Sequence, residues 1–419
     1  MRIGILSQWF DPEPGPAALP AIYGREFVAR GHDVRVLTGY PNYPGGELYV
    51  GYRMRPRTRT IVDGMTVTRV PLVPSHSASA VGRIANYASF AAAATTLGTG
   101  ALKGVDALWV YNSPATVTAP MLAHSRWGGV PIFLHVQDLW PDSLLHSGML
   151  PAGRIGAFAE AVIRRVVASA ERHAAVVGVI SPSVRQLILE RNPAIDPDRV
   201  VYAPNPTNEA LFRPAEELRS THQISPPDDV VEVMYAGAIG EVQGLDTLLD
   251  AAAALTSRRD IRFTIVGDGI SRERLERRAV EGGLSNVRFI GRVEQNAIPL
   301  LIAQAQIQIV SLADAPFLAH TTPSKISSLL ASGVPVVAQL AGDGATLVAD
   351  SGAGFTVRPG NVDELASAIV EAVDEGPDGW QRRGRKGRAY YEANLSAATV
   401  SNQITHSLER AICSRGRTP

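Results

Sequence analysis

The stretch Thr322-Pro323-Ser324-Lys325-Ile326-Ser327-Ser328-Leu329-Leu330-Ala331-Ser332-Gly333-Val334-Pro335 puts a lysine in the first turn of a short helix with both ends marked. Thr322 can serve as capping hydroxyl, Pro323 suits the first helical position, Gly333 is a left-handed stop and Pro335 bars continuation. Carboxylates are the usual first-turn side chains, so a lysine costs a few tenths of a kcal/mol, roughly, against the helix dipole. A phosphate or diphosphate reverses that sign: free N–H groups at Ser324 and Lys325, the positive helix end and the ammonium would all face it. The competing reading is a lysine turned back into solvent.

Two glycine-rich loops stand where such a ligand could also be met. Gly237-Ala238-Ile239-Gly240-Glu241-Val242-Gln243-Gly244 follows the apolar run "VEVMYA", and Gly267-Asp268-Gly269 follows "IRFTIV". Open α/β sheets bind ligands beyond the C-terminal ends of their strands, and glycine lets backbone come close to a ligand. Neither loop is followed by the Gly-Lys-Ser/Thr of a phosphate loop, and "DPEPGPAALP" does not open a helix with G-x-G-x-x-G. Kinase, GTPase and classical dinucleotide readings lose their weight. In the first half, Asp138 ends the run "FLHVQD", where it reads equally as a buried structural carboxylate or a ligand contact. His135 alternates with Gln137 along that run and reads as a packed core residue. No Asp-x-Asp cluster or His/Cys spacing suggests a metal site.

These residues need a scaffold. "RIGILS", a helix from about Pro16 to Arg30 closed by Gly31, and "DVRVLTG" make a βαβ unit. "TVTRVP", "ALWVYNS", "PIFLHVQD" and "AVVGVIS" continue the strands, with helical stretches around Ala80 to Thr99 and Arg154 to Ala174. The pattern breaks at "APNPTNEALFRP" near residue 204 and then restarts as a second alternating series. The fold class expected is α/β, two Rossmann-like doubly wound domains. Their bounds are residues 1–204 and 205–390, with residues 391–419 a C-terminal helix crossing back to the first domain.

Composition sets the outer limits. The 419 residues are 45% hydrophobic and 19% charged, which describes a globular chain of more than one domain. Forty basic residues balance forty acidic ones, so net charge offers no argument for a nucleic-acid partner. The single cysteine, Cys413, excludes an internal disulfide framework and fits a reducing compartment, with cytoplasm the expected location. "YASFAAAATTLGTGALKG" carries too many threonines and glycines to span a bilayer. Arg53, Arg55, Arg57 and Arg59 alternate in "YRMRPRTRT" and would share one face of an extended segment, as a solvated charge run or a contact for anionic lipid or an anionic acceptor.

The ordered series "SQWFDPEPGPAALP", "GHDVRVLTGYPNYPGG", "DLWPDS", "YAGAIGEVQGLDTLLDA", "IVGDG" and "TPSKISSLLASGVPVVA", with the Arg-rich final helix, resembles glycosyltransferase family 4 with the GT-B fold. Within it, the bacterial capsule and O-antigen transferases of the fucosamine-transferase-like subgroup are the most similar. The resemblance implies two domains facing a central cleft, the nucleotide diphosphate sugar held by the second, the acceptor by the first. It implies donor contacts at Gly15, Gly237, Gly240, Gln243, Gly267, Asp268, Gly269, Arg292, Val293, Pro323, Ser324, Lys325 and Ser328. Asp138, Gln137 and Lys325 are expected at the reacting centre. Asn42 and Tyr43 in "YPNYPGG" are expected to contact the acceptor, although the same composition makes an ordinary turn.

The chain departs from the wider family at five positions. Its paired glutamates, with seven residues between them, are replaced by His320 and Ser328, its Arg and Lys of the first glycine loop by Ala238 and Gln243, and its domain-one histidine by Gln137. Lys325 then becomes the remaining fixed cation at the diphosphate. The activity implied is metal-independent retaining transfer, with no cofactor besides the co-substrate. The sugar would pass from a UDP-linked donor to a lipid-linked saccharide in surface polysaccharide biosynthesis, with peripheral contact at the inner face of the membrane and no nucleic acid. The alternatives are a soluble small-molecule acceptor, a degenerate nucleotide-sugar-binding protein without turnover and, further off, a nucleotide-sugar epimerase.

Overall fold

The computed structural model describes residues 1–75, 80–140, 153–224 and 229–415. It divides into two compact units, Met1–Pro204 with Val400–Pro419, and Asn205–Thr399. The last three residues of "DLWPDS" lie outside the described residues.

The first unit holds an eight-stranded sheet: β1 (Arg2–Leu6), β2 (Asp33–Gly39), β3 (Thr58–Val62), β4 (Met65–Val70), β5 (Ala107–Asn112), β6 (Ile132–Val136), β7 (Val176–Val179) and β8 (Val200–Tyr202). The order is β3-β4-β2-β1-β5-β6-β7-β8. Every pairing is parallel except β3 with β4. Strands β5, β6 and β7 are buried at every residue, as near-continuous apolar runs must be when helices cover both faces of a parallel sheet.

Strand β3 has no counterpart in the sequence reading. Only Arg59 of the four alternating arginines lies in it, while all four are exposed. The hairpin into β4 turns at Asp63 and Gly64, both with positive φ of 48° and 79°, the backbone a two-residue hairpin with right-handed strand twist needs. An arginine-bearing, mostly exposed outer strand is also a usual way of blocking edge-to-edge pairing.

The second unit holds six parallel strands, β9 (Val231–Ala236), β10 (Ile261–Val266), β11 (Val287–Ile290), β12 (Ile307–Ser311), β13 (Val336–Gln339) and β14 (Gly354–Val357). Their order, β11-β10-β9-β12-β13-β14, reverses direction between β9 and β12, so the connections from these two neighbours leave toward opposite faces. That divergence is where open α/β sheets form their crevice.

The tail makes two helices, Gly376–Asn394 and Ala397–Arg415. Val400, Ile404 and Leu408, at i, i+4 and i+8, are fully buried among Ile3, Ile5, Phe27 and Trp109 of the first unit. The passage to that unit falls between Thr399 and Val400, nine residues beyond the expected 390. The reason is Tyr391, which is buried in the second unit's core and donates its hydroxyl to Glu209 at 2.9 Å. The Ala397 N–H reaches the same carboxylate at 2.8 Å. Among the described residues, no helix is long and apolar enough to cross a membrane.

Candidate functional site

In the second unit, the helix Ser324–Ser332 starts one residue later than expected and without a side-chain cap. Pro323, extended at ψ 127°, occupies the cap position and its carbonyl accepts from the Ile326 N–H at 2.9 Å, so Thr322 is not the capping hydroxyl. Gly333 ends the helix in the left-handed conformation, φ 65°. Ser324 is exposed and leaves the first-turn N–H groups open, while Lys325 is half-buried.

The lysine does not turn back into solvent. Its Nζ lies 4.0 Å from the centroid of the Tyr235 ring, at the end of β9. Tyr235 is fully buried and donates its hydroxyl to the Ala238 carbonyl at 2.6 Å, so the ring is locked beneath the ammonium. A Cβ on Gly237 would come within 2.8 Å of that Nζ, which makes glycine the residue that lets the loop close over the lysine. No carboxylate of the described residues pairs with it, and loss of hydration alone pushes its pKa down to about 7. A ring face offsets part of that loss but supplies no counter-charge. An ammonium held this way gains most from a ligand that brings negative charge.

The glycine loops have a further physical reason beyond ligand approach. Gly267 has φ 137°, and a Cβ there would overlap the Gly237 carbonyl oxygen; a Cβ on Gly269 would overlap that of Ile239. The loops after β9 and β10 thus pack backbone on backbone, tied by Gly237 N–H to Val266 C=O and Ile239 N–H to Asp268 C=O, each 2.9 Å. Asp268 is exposed and its carboxylate accepts from Gly269 N–H at 2.9 Å. Gln243 accepts from the Gly240 N–H at 3.0 Å, which holds the first loop in shape. Arg292 is exposed after β11, and Val293 packs against the core.

Ser328, one turn beyond Ser324, shares a hydrogen bond of 2.8 Å with Thr207. The Thr207 N–H donates to the Tyr391 hydroxyl at 3.1 Å. His320 closes the short 3-10 segment Pro316–His320 and is exposed. Among the described residues no group of three or more His, Cys, Asp or Glu could hold a metal ion.

In the first unit, the residues singled out also stand on loops after strands. Gly15, φ 65° and exposed, opens the 3-10 segment Gly15–Ala18. Asp138 follows β6 and keeps an open face, and its carboxylate accepts from Ser113 Oγ at 2.8 Å. Crowding of the carboxyl group by protein raises its pKa, and the Ser113 hydrogen bond opposes the rise. Gln137 beside it is half-buried. His135 is fully buried, its Nε2 2.7 Å from the Ala203 carbonyl, and desolvation pushes its pKa down to about 4. It is a neutral core residue.

Asn42 and Tyr43 have different fates. Asn42 is buried, donating from Nδ2 to Tyr40 C=O at 3.0 Å and accepting from Asn86 Nδ2 at 3.1 Å, so it braces the loop from within. Tyr43 is half-exposed beside Trp9, ring centroids 5.7 Å apart, and Trp9 lies 6.4 Å from Tyr87. The loop is held by Glu13, a buried carboxylate. Its Oε1 accepts from the N–H groups of Asn42 and Tyr43, both at 2.8 Å, and its Oε2 from Phe10 N–H at 3.2 Å. Burial raises the Glu13 pKa against the opposing pull of those three hydrogen bonds. Sequence reasoning missed Tyr235, Thr207, Trp9, Glu13 and Tyr87; Trp9 and Glu13 lie inside the quoted "SQWFDPEPGPAALP".

Two family models match, "Glycosyl transferase 4-like domain" over residues 21–206 and "Glycosyl transferases group 1" over residues 231–375. The chain belongs to glycosyltransferase family 4. A putative colanic acid biosynthesis glycosyl transferase WcaI of Escherichia coli K12 is 28% identical over 91% of this chain and 93% of its own. A probable glycosyltransferase WbjE of Pseudomonas aeruginosa is 24% identical over 64% of this chain and 66% of its own. Among solved structures, Anabaena HepE in complex with UDP matches with a TM-score of 0.66 at 18% identity, covering 98% of this chain and 100% of that one. Sucrose-phosphate synthase from Thermosynechococcus elongatus matches with a TM-score of 0.69 at 18% identity over 99% of each. These likenesses give the fold, GT-B, with two Rossmann-like α/β units; the family gives the enzyme class, a glycosyltransferase.

Proposed function

We propose that this glycosyltransferase moves a sugar, with retention of anomeric configuration, from a UDP-linked donor to a lipid-linked saccharide in surface polysaccharide assembly. The observation that carries the donor half is Lys325, an ammonium that no carboxylate of the described residues pairs with, in the first turn of a helix, on the face of Tyr235 and under the Gly237 loop. A diphosphate there meets the helix N–H groups and the ammonium together, and its charge grows as the sugar leaves. Gly240, Gly267, Asp268, Gly269, Arg292, Val293, Pro323, Ser324 and Ser328 complete the donor contacts, with Gln243 shaping the loop. Of the first unit's residues, Gly15, Gln137 and Asp138 are the ones proposed to contact a sugar, and Tyr43 the acceptor.

UDP is favoured because HepE, of the same fold, was solved with UDP and with UDP-glucose. A lipid-linked acceptor and a place at the inner face of the membrane are favoured by the likeness to WcaI, named for colanic acid biosynthesis. In the reaction, the acceptor oxygen bonds to the anomeric carbon from the face the nucleotide leaves. The bond from that carbon to the phosphate oxygen breaks, and the departing phosphate takes the acceptor proton. Lys325 holds its own proton throughout and stabilises the leaving diphosphate.

A thermal-shift panel of UDP-, GDP-, ADP- and dTDP-sugars tests the donor half, since a ligand of the native state raises its stability. A shift confined to UDP-sugars supports the reading, and a shift confined to another nucleotide, or none, overturns it. Proton NMR of the product's anomeric centre tests retention.

A further inference from the structure

The second unit carries a cavity of about 870 Å³ that the donor site does not use. Val231, Asp260, Gln306 and Pro335 on its wall stand at or just before the first residues of β9, β10, β12 and β13, whereas the glycine loops follow the last residues of β9 and β10. At about 3.3 Å per residue, the length of those two strands separates the places by roughly 20 Å. The remaining wall comes from the helix Ala215–His222, the end of the helix Ser324–Ser332 and the helix Gly376–Asn394. Pockets of about 300–1,000 Å³ hold drug-sized ligands, so there is room for several rings.

Two buried polar side chains on the wall are incompletely satisfied. Gln306 is 6% exposed; its backbone N–H donates to the Glu232 carbonyl at 3.2 Å, and its Oε1 accepts from the Glu232 N–H at 2.7 Å. An N–H can only donate, so the amide oxygen is the atom facing Glu232, and Nε2 is left without a partner among the described residues. Ser332, 1% exposed at the end of its helix, has an Oγ without a partner as well. Buried polar groups left unpaired cost stability, and a ligand that supplies the missing bonds recovers it. Trp380 is half-buried beside them; its Nε1 donates to the Ala372 carbonyl at 2.7 Å, which fixes the indole, and no ring or cation of the described residues stacks on its face.

The charges on the wall narrow the ligand. Asp260 is paired with Arg258, and Arg388 with Glu392. Glu216, Asp229 and Asp378 form no ion pair among the described residues, and neither do Arg219 and Arg385. An anionic ligand would set the three carboxylates against like charge, and a cationic one the two guanidinium groups. A hydroxyl both donates and accepts, so a neutral polyhydroxyl compound suits both signs at once. The indole adds a flat apolar wall for the C–H face of a pyranose.

We propose that this cavity binds a neutral oligosaccharide, one ring on Trp380 and hydroxyls on Gln306 Nε2 and Ser332 Oγ. It holds a saccharide chain on the enzyme at the opposite end of the second sheet from the glycine loops, as a site separate from those for donor and acceptor.

The test is calorimetric titration of the full chain with cellotriose, maltotriose, mannotriose and triacetylchitotriose, with and without UDP. Glucose 6-phosphate and the glucosamine trimer serve as anionic and cationic controls. At least one neutral trisaccharide should bind at millimolar concentration or below, more tightly than either control and equally well with UDP present. Trp380→Ala should weaken it by about tenfold, the range of a lost aromatic face. Ser332→Ala should weaken it about threefold or more without lowering the melting temperature, because it removes a hydroxyl that bonds nothing in the protein. That variant keeps the test decisive where Trp380→Ala disturbs folding. Trp9→Ala, in the first unit, should bind the trisaccharide as wild type does. The proposal is overturned by no neutral trisaccharide binding, by tighter binding of a charged control, by competition from UDP, or by binding that Trp9→Ala removes and Ser332→Ala leaves intact. Saccharide binding is read here without donor or turnover, so it succeeds or fails independently of the nucleotide-sugar panel.

Discussion

The Nζ of Lys325 sits 4.0 Å from the centre of the Tyr235 ring, under a loop whose Gly237 would put any Cβ within 2.8 Å of it. The ammonium is therefore costly in the empty protein and favourable only when an anion arrives. Lys325→Met should raise the apo melting temperature by a few degrees, roughly, because an unpaired and poorly hydrated charge is replaced by apolar volume. The same change should weaken nucleotide-sugar binding by at least about tenfold. Differential scanning fluorimetry with and without donor reads both effects, and a variant that loses stability yet binds donor normally would refute this account.

The same lysine fixes a pH dependence. With its pKa pushed down to about 7, the folded protein holds fewer protons than the unfolded chain between about pH 7 and the ordinary lysine range. Stability should therefore rise with pH across that window, the slope following the excess protons bound by the unfolded state. Donor binding should move the other way, weakening as pH rises above 7, because the diphosphate needs the protonated form. Binding should take up protons at pH 8, which titration calorimetry in buffers of different ionisation enthalpy detects.

Gly267→Ala should destabilise the protein by about 2–4 kcal/mol, since its Cβ would overlap the Gly237 carbonyl oxygen in a backbone conformation that disfavours side chains. Gly15→Ala has open space around its Cβ and suffers only the backbone term, on the order of 1 kcal/mol. Urea unfolding of the two variants checks the ranking.

Glu13→Ala should cost about 3 kcal/mol or more by leaving three N–H groups of Phe10, Asn42 and Tyr43 without their acceptor. The wild-type carboxyl has a folded pKa above the unfolded value, so its contribution is complete below pH 4.5 and declines as pH rises through the raised pKa. Glu13→Gln keeps the Asn42 and Tyr43 acceptor oxygen and removes that decline. Denaturation curves between pH 4 and 7 distinguish the two variants from wild type.

The periodic apolar runs and their stops made both sheets legible, and helix-end chemistry pointed to Lys325, because those signals are local. Strand β3 was missed beneath a charge run, although Asp63-Gly64 is a hairpin signal. The clamp of Glu13 on residues 42 and 43, and the pairing of Ser328 with Thr207 across 121 positions, are consequences of topology. No window of sequence contains them. Glycine loops gave the position of the candidate site but not the reason for each glycine: Gly267 and Gly269 answer to a neighbouring loop as much as to a ligand. Tyr391 displaced the domain boundary for the same reason, since a buried hydroxyl anchor to Glu209 leaves no local trace.

The final helix also sets an order of events during synthesis. Residues 205–399 form a continuous unit and can fold as soon as they leave the ribosome. The first unit is synthesised earlier but lacks Val400, Ile404 and Leu408 from its core until the last helix emerges. For that interval Ile3, Ile5, Phe27 and Trp109 have part of their apolar surface uncovered, and the half made first is completed last.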